Sequence, residues 1–171
     1  MKRIPQLMLS LALMLAISSC SDEPAAPESQ AAPENGGLQK QTSVFVSHLS
    51  GPTNSATGQA IFRVSADGMS ISYQLIVANI VNVTQAHIHL APAGLNGPVV
   101  VWLYPSSPPA AAPAGPVNGI LASGTITASN LVGPMLGSSI ANLVSAMAAG
   151  NTYVNVHTTA NPAGEIRGQI Q

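Results

Sequence analysis

Few residues in this chain have the chemistry to act, and three of them are grouped by their spacing. His87 and His89 stand two apart in Q-A-H-I-H-L, and His157 follows far downstream in Y-V-N-V-H-T. On a strand, alternate residues share a face, so His87 and His89 point together with Ala86, Ile88 and Leu90 opposite. By the same rule His157 shares its face with Tyr153 and Asn155, while Val154 and Val156 turn away. If the two segments are neighbours in a sheet, three imidazoles converge. His-X-His plus a distant histidine is an adequate donor set for one zinc or copper ion, given an open position or a fourth donor. The reading favoured first is plainer: the imidazoles hydrogen-bond backbone carbonyls and fix the loop A-P-A-G-L-N-G-P, with the metal centre as the alternative and direct ligand contact as a third option. His48 is the only other histidine, so a bridged dinuclear centre runs short of ligands even with Asp67 counted.

Other chemistry is scarce. There is no G-X-S-X-G elbow and no glycine-rich phosphate loop, and the single cysteine is Cys20. Beyond residue 41 the carboxylates are Asp67 and Glu165, and Asp67 is taken up by an Asp-Gly turn, which leaves no acid/base pair. The expectation is a protein that is not an enzyme, with a metal-dependent redox activity as the minority reading. Glu165 and Arg167, two apart, should face the same way as an ion pair or as a hydrogen-bond clamp on a neighbouring loop. Gly164 and Gly168 beside them fit a tight turn and a close strand approach. Trp102 and Tyr104 share a face with Val100 and are expected in core or inter-sheet packing.

The elements that must position these residues are mostly strands. Residues 42–49 are β-rich. Gln59–Ser65 alternates, as does Met69–Val77, and Ala66-Asp67-Gly68 between them predicts a hairpin. Gln85–Leu90 and Pro98–Tyr104 form a second pair around A-P-A-G-L-N-G. Pro105–Gly119 is proline-rich and reads as an exposed excursion before a short strand over Ile120–Ala128. Ile140, Leu143, Val144 and Met147 recur at helical spacing, with Ser138 or Ser139 to cap the start and Gly150 the end. Thr152–Thr158 and Glu165–Ile170 close the chain around a turn at 160–164. The fold class expected is all-β: an antiparallel, immunoglobulin-like β-sandwich of about seven or eight strands with one short helix.

The N-terminus addresses the chain. Lys2 and Arg3 precede an apolar run from Leu7 to Ile17, too short for a comfortable membrane span. Ile17-Ser18-Ser19-Cys20 resembles a bacterial lipobox, which divides the chain into a signal peptide (1–19), a lipidated, disordered tether (20–41) and a folded domain (42–171). The tether is rich in Pro, Ala, Glu and Gln without apolar periodicity. Its start, Cys20-Ser21-Asp22-Glu23, resembles the acidic surface-export signal of some bacterial lipoproteins. The membrane is thus an expected partner through Cys20, at the outer membrane or cell surface. Only 6% of the chain is charged, and the net charge of −1 rules against a nucleic-acid partner or long-range steering.

Tyr153–Ile170, Y-V-N-V-H-T-T-A-N-P-A-G-E-I-R-G-Q-I, is similar to the closing signature of the CHRD (chordin) domain. A-H-I-H at Ala86–His89 and N-G-P-V-V at Asn96–Val100 resemble that family's other signature, and the match runs from about Val44 to the C-terminus. Leu90 and the Pro/Ala-rich Pro105–Gly119 depart from its pattern. The resemblance implies an extracellular β-sandwich without established enzymatic activity. It also implies that His87, His89, Asn96, Gly97, Asn155, His157, Glu165 and Arg167 occupy structural or binding positions. Chordin's antagonism of growth factors is not carried over, since a fold does not fix a partner. The function expected is display of the domain for binding or adhesion to a protein or polysaccharide. No cofactor is expected, with zinc or copper as the alternative.

Overall fold

The computed structural model describes residues 42–52, 55–106 and 114–171. The expected signal peptide, Cys20, the expected tether through residue 41 and residues 107–113 of the proline-rich stretch lie outside those residues. Eight strands form: β1 (Val44–Ser50), β2 (Thr57–Val64), β3 (Ile71–Val81), β4 (Val83–Leu90), β5 (Val99–Tyr104), β6 (Pro116–Ile126), β7 (Thr152–Thr158) and β8 (Ile166–Gln169). All pairings are antiparallel, in the order β5-β4-β7-β8-β1-β2-β3-β6. The fold class is the all-β one expected, and the layers of the sandwich are two halves of one continuous sheet. The sheet rolls until its end strands approach each other, close to a barrel. The Tyr73 hydroxyl donates to the Leu103 carbonyl at 2.8 Å and ties β3 to β5 across the interior.

The β2–β3 hairpin shows why the sequence alternates. Ala60 and Phe62 face the core opposite Leu75 and Tyr73, while Arg63 and Ser72 are paired on the solvent side. The turn is longer than expected. Asp67 Oδ1 accepts from the Met69 N–H at 2.9 Å and the Ser65 hydroxyl at 2.6 Å, which holds residues 65–70 in the turn. Met69 therefore leaves the strand and is 69% exposed, and β3 starts at Ile71.

The strand placed over Ile120–Ala128 is also corrected. It begins at Pro116, inside the stretch read as excursion, and ends at Ile126. Proline is tolerated there because it is the first residue of the strand that ends the sheet order. Between β3 and β4 only Asn82 intervenes. Its left-handed φ of 54° turns the chain from one half of the sheet to the other.

The one helix, α1 (Ile140–Ala148), starts at Ser139, whose hydroxyl accepts from the Asn142 N–H at 3.3 Å. Its Ile140, Leu143 and Met147 are buried in the core. No helix among the described residues is long and apolar enough to cross a membrane. The seam between β8 and β1 is short. Gly168 makes it possible, since a Cβ there would lie 2.1 Å from the His48 carbonyl oxygen.

Candidate functional site

Strand register brings the sequence-selected residues together. β4 lies against β7 with Gln85 opposite His157, His87 opposite Asn155 and His89 opposite Tyr153. β8 follows, with Arg167 opposite Asn155 and Gln169 opposite Tyr153. The faces separate as expected: Ala86, Ile88, Val154 and Val156 are fully buried in the apolar core. What alternation does not foretell is that the other face is buried too. All seven residues of β7 are buried, and His87 and His157 are only 3% and 7% exposed. His89 is half-buried, with its Nε2 enclosed.

One nitrogen of each of His87, His89 and His157 lies within 4.8 Å of the others, and among the described residues no carboxylate or thiol joins them. The tautomers follow from the partners. His89 Nδ1 donates to the Gly97 carbonyl at 2.8 Å, and His157 Nδ1 donates to the Pro162 carbonyl at 2.9 Å. A carbonyl accepts only, so each Nδ1 carries the proton and each Nε2 carries a lone pair. His87 Nδ1 lies 3.3 Å from His157 Nε2. The Nε2 atoms of His87 and His89 are buried without a hydrogen-bond partner in the protein.

Electrostatics keeps the rings neutral. Burial pushes His87 down to about 3, and the nearby His157 and His89 add to the shift. Burial also lowers His89, against the upward pull of the Gly97 bond, and His157 and Arg167 reinforce the drop. His157 is lowered by burial and partly restored by Pro162. Neutral imidazoles, each with one nitrogen free of its proton, are the protonation state a transition metal requires.

The walls are aromatic and loop-built. The Trp102 ring stands edge-on to His87, 4.1 Å between centroids, and Tyr153 stacks on His89 at 4.8 Å and 9°. The Arg167 guanidinium lies 3.9 Å over the Tyr153 ring. The same guanidinium donates to Asn96 Oδ1 at 2.8 Å and to the Leu95 carbonyl at 2.9 Å. That fixes the loop whose Gly97 carbonyl orients His89. Arg167 is thus the loop clamp anticipated. The Glu165 carboxylate grips the other turn, accepting from Thr158 Oγ1 at 2.5 Å and Asn161 Nδ2 at 3.3 Å. Asn155 donates from Nδ2 to the Ala163 carbonyl at 3.1 Å. Its amide packs over Gly164, where a Cβ would lie 2.1 Å from Oδ1 and the backbone φ is +121°.

One wall, Trp102, escaped the sequence reading, whereas alternation already placed Tyr153 on the His157 face. Trp102 was expected in the core, yet Val101 and Leu103 fill it and Trp102 stands half-buried on the histidine side. Irregular β4–β5 register around His87 and Ile88 sets Trp102 opposite His87. His48 stays apart, exposed on β1 opposite Gln59. Asp67 stays in its turn.

The model of one family, described as the CHRD domain, matches residues 40–170. No curated protein matches the chain, and no solved structure does.

Proposed function

The chain belongs to the CHRD-domain family, and from there we propose that it is an exported, lipid-anchored, non-enzymatic binding module whose ligand is a single zinc or copper ion. The ion would be held by His87, His89 and His157. One observation carries this reading: three imidazole nitrogens lie within 4.8 Å of one another in a buried layer. The sequence favoured hydrogen bonding to the loops as the role of these histidines. The geometry has room for both roles, because the carbonyl bonds of His89 and His157 occupy Nδ1; the Nε2 of His89 is left to coordinate, and that of His157 would exchange its 3.3 Å contact with His87 Nδ1 for the ion.

Cys20 would anchor the module, and the tether through residue 41 would hold it off the outer membrane or at the cell surface. A protein or polysaccharide partner is in reach there, and the sparsely charged exterior suits contact by shape and hydrogen bonds. Adhesion alone, however, gives no reason to bury three histidines.

Metal analysis of the purified full chain tests the proposal. About one equivalent of zinc or copper should be retained, and His87→Ala and His157→Ala should each lose it. Added metal should raise the melting temperature of the chelator-treated protein, by about 2.7 kcal/mol of stability at a hundredfold excess over the dissociation constant. No retained metal, together with an unchanged melt, would overturn the metal assignment and return the histidines to a structural role.

A further inference from the structure

Resting on that metal reading, we propose that the site is built for a monovalent ion, copper(I), in preference to zinc(II). Three features of the cluster point the same way.

The donors are all neutral. Among the described residues no carboxylate or thiolate joins the three imidazoles, so a bound ion would keep its whole charge. The Glu165 carboxylate is turned to Thr158 and Asn161 instead. The cost of taking an ion out of water rises with the square of its charge, roughly fourfold from a monocation to a dication. His87 and His157 are nearly inaccessible, and the Nε2 atoms of His87 and His89 are enclosed. A dication held there without an anionic ligand would bear that cost in full.

The charge set into the wall has the wrong sign for a dication. Arg167 lies 3.9 Å over Tyr153, and Tyr153 stacks at 4.8 Å on His89. A guanidinium at that remove repels any cation, and a divalent one twice as strongly. Arg167 is held there by its bonds to Asn96 and Leu95 and does not swing away freely.

The coordination number fits as well. Zinc takes four ligands, and at a site with three protein donors the fourth is water. Here Trp102 stands against His87 and Tyr153 covers His89, so the donors face a walled space. On this face Asn155 has its Nδ2 held by the Ala163 carbonyl and its Oδ1, which has no hydrogen-bond partner, packed over Gly164, and Gln169 is held by the carbonyls of Ala91 and Gly150. A d10 monocation is satisfied by three donors, the number that the three histidines supply.

The test is a pair of affinities measured on the full chain. Copper(I) is titrated without oxygen against a colorimetric copper(I) chelator, and zinc(II) against a zinc chelator. Copper(I) should bind one per chain, at least about a hundredfold more tightly than zinc(II). Arg167→Gln should narrow that gap by about tenfold, and Arg167→Lys, which keeps the charge, should preserve most of it. Zinc(II) binding as tightly as copper(I) would overturn the inference while leaving a metal site in place. A chain that binds neither ion would overturn the metal reading itself. A gap unchanged in Arg167→Gln would overturn the repulsion assigned to Arg167. Should that variant fail to fold, the wild-type pair of affinities decides alone.

Discussion

The β2–β3 hairpin and the β4–β7 pair are built to the same plan on one side and to opposite plans on the other. Both turn aliphatic or aromatic residues inward: Ala60, Phe62, Tyr73 and Leu75 in the first, Ala86, Ile88, Val154 and Val156 in the second. Outward, the hairpin gives Arg63 and Ser72 to water. The β4–β7 pair instead covers His87, Asn155 and His157 with loops and an indole ring. Leaving polar residues in water costs nothing, whereas burying them costs free energy unless each group finds a partner. The carbonyls of Gly97, Ala163 and Pro162 meet part of that need. The unmet part is Nε2 of His87 and His89 and Oδ1 of Asn155. A polar layer assembled at such cost, away from the core, is organised around something other than packing.

The largest effects should be shared by the two regions, because their inner faces do the same work. Phe62→Ala in the hairpin should cost about 3–5 kcal/mol, and Ile88→Ala between the two histidines about 2–5 kcal/mol. Both residues are fully buried. Urea unfolding in the presence of chelator measures both. A cost below about 1 kcal/mol for Ile88→Ala would mean that β4 is not seated on the core as β2 is.

The next effect should separate them. The three buried imidazoles have their proton affinities lowered, His87 to about 3 from 6.5. Below pH 6.5 the unfolded chain takes up protons that the folded one refuses, so stability rises with pH in that window. Metal-free protein should therefore melt progressively lower as pH falls from about 6.5 toward 3. His87→Gln should flatten part of that slope. Melting curves across the range decide it, and a flat wild-type profile would show that the outer face of β4–β7 is as wet as that of the hairpin.

Much of this was legible in the sequence. Strict alternation over 59–65 and 71–77, the Asp-Gly turn, and the 3.6-residue recurrence through Ile140 and Met147 are local patterns with one structural solution each. The convergence of the histidines was legible as well, because parity on a strand fixes which side chains share a face. What escaped depended on partners distant in sequence. Pro116 can open a strand only because β6 ends the sheet, and a sheet's end is a property of topology. Trp102 was assigned by its own parity, which an irregular register against β4 overrules. Met69 is the local exception, lost to a turn lengthened by a single carboxylate two residues away, Asp67. The burial of β7 on both faces depends on loops folding back over it, and no period in a strand encodes that.

The finest contrast lies between the two arginines of the domain, which share a charge and differ in surroundings. Arg63 is exposed on the hairpin's outer face, where Arg63→Gln should change stability by less than about 0.5 kcal/mol. Arg167 donates two hydrogen bonds to the Leu95–Asn96 loop and lies over the Tyr153 ring. Hydrogen bonds from a charged donor contribute about 1.5–3 kcal/mol where they are sheltered, and the ring contact about 0.5–1 kcal/mol. Arg167 is only half-buried, so solvent screening reduces both, and glutamine keeps one N–H donor for the loop. Arg167→Gln should therefore cost about 1–2 kcal/mol in denaturant titrations. It should also loosen the loop before it loosens the sheet, seen as faster amide exchange at Gly97 with little change in β2 and β3. Equal, negligible costs for the two arginines would mean that the loop over β4–β7 is held by something other than Arg167. The cover over the histidine layer would then rest on the loop's other bonds, such as that of the Gly97 carbonyl to His89, and not on the charge beside it.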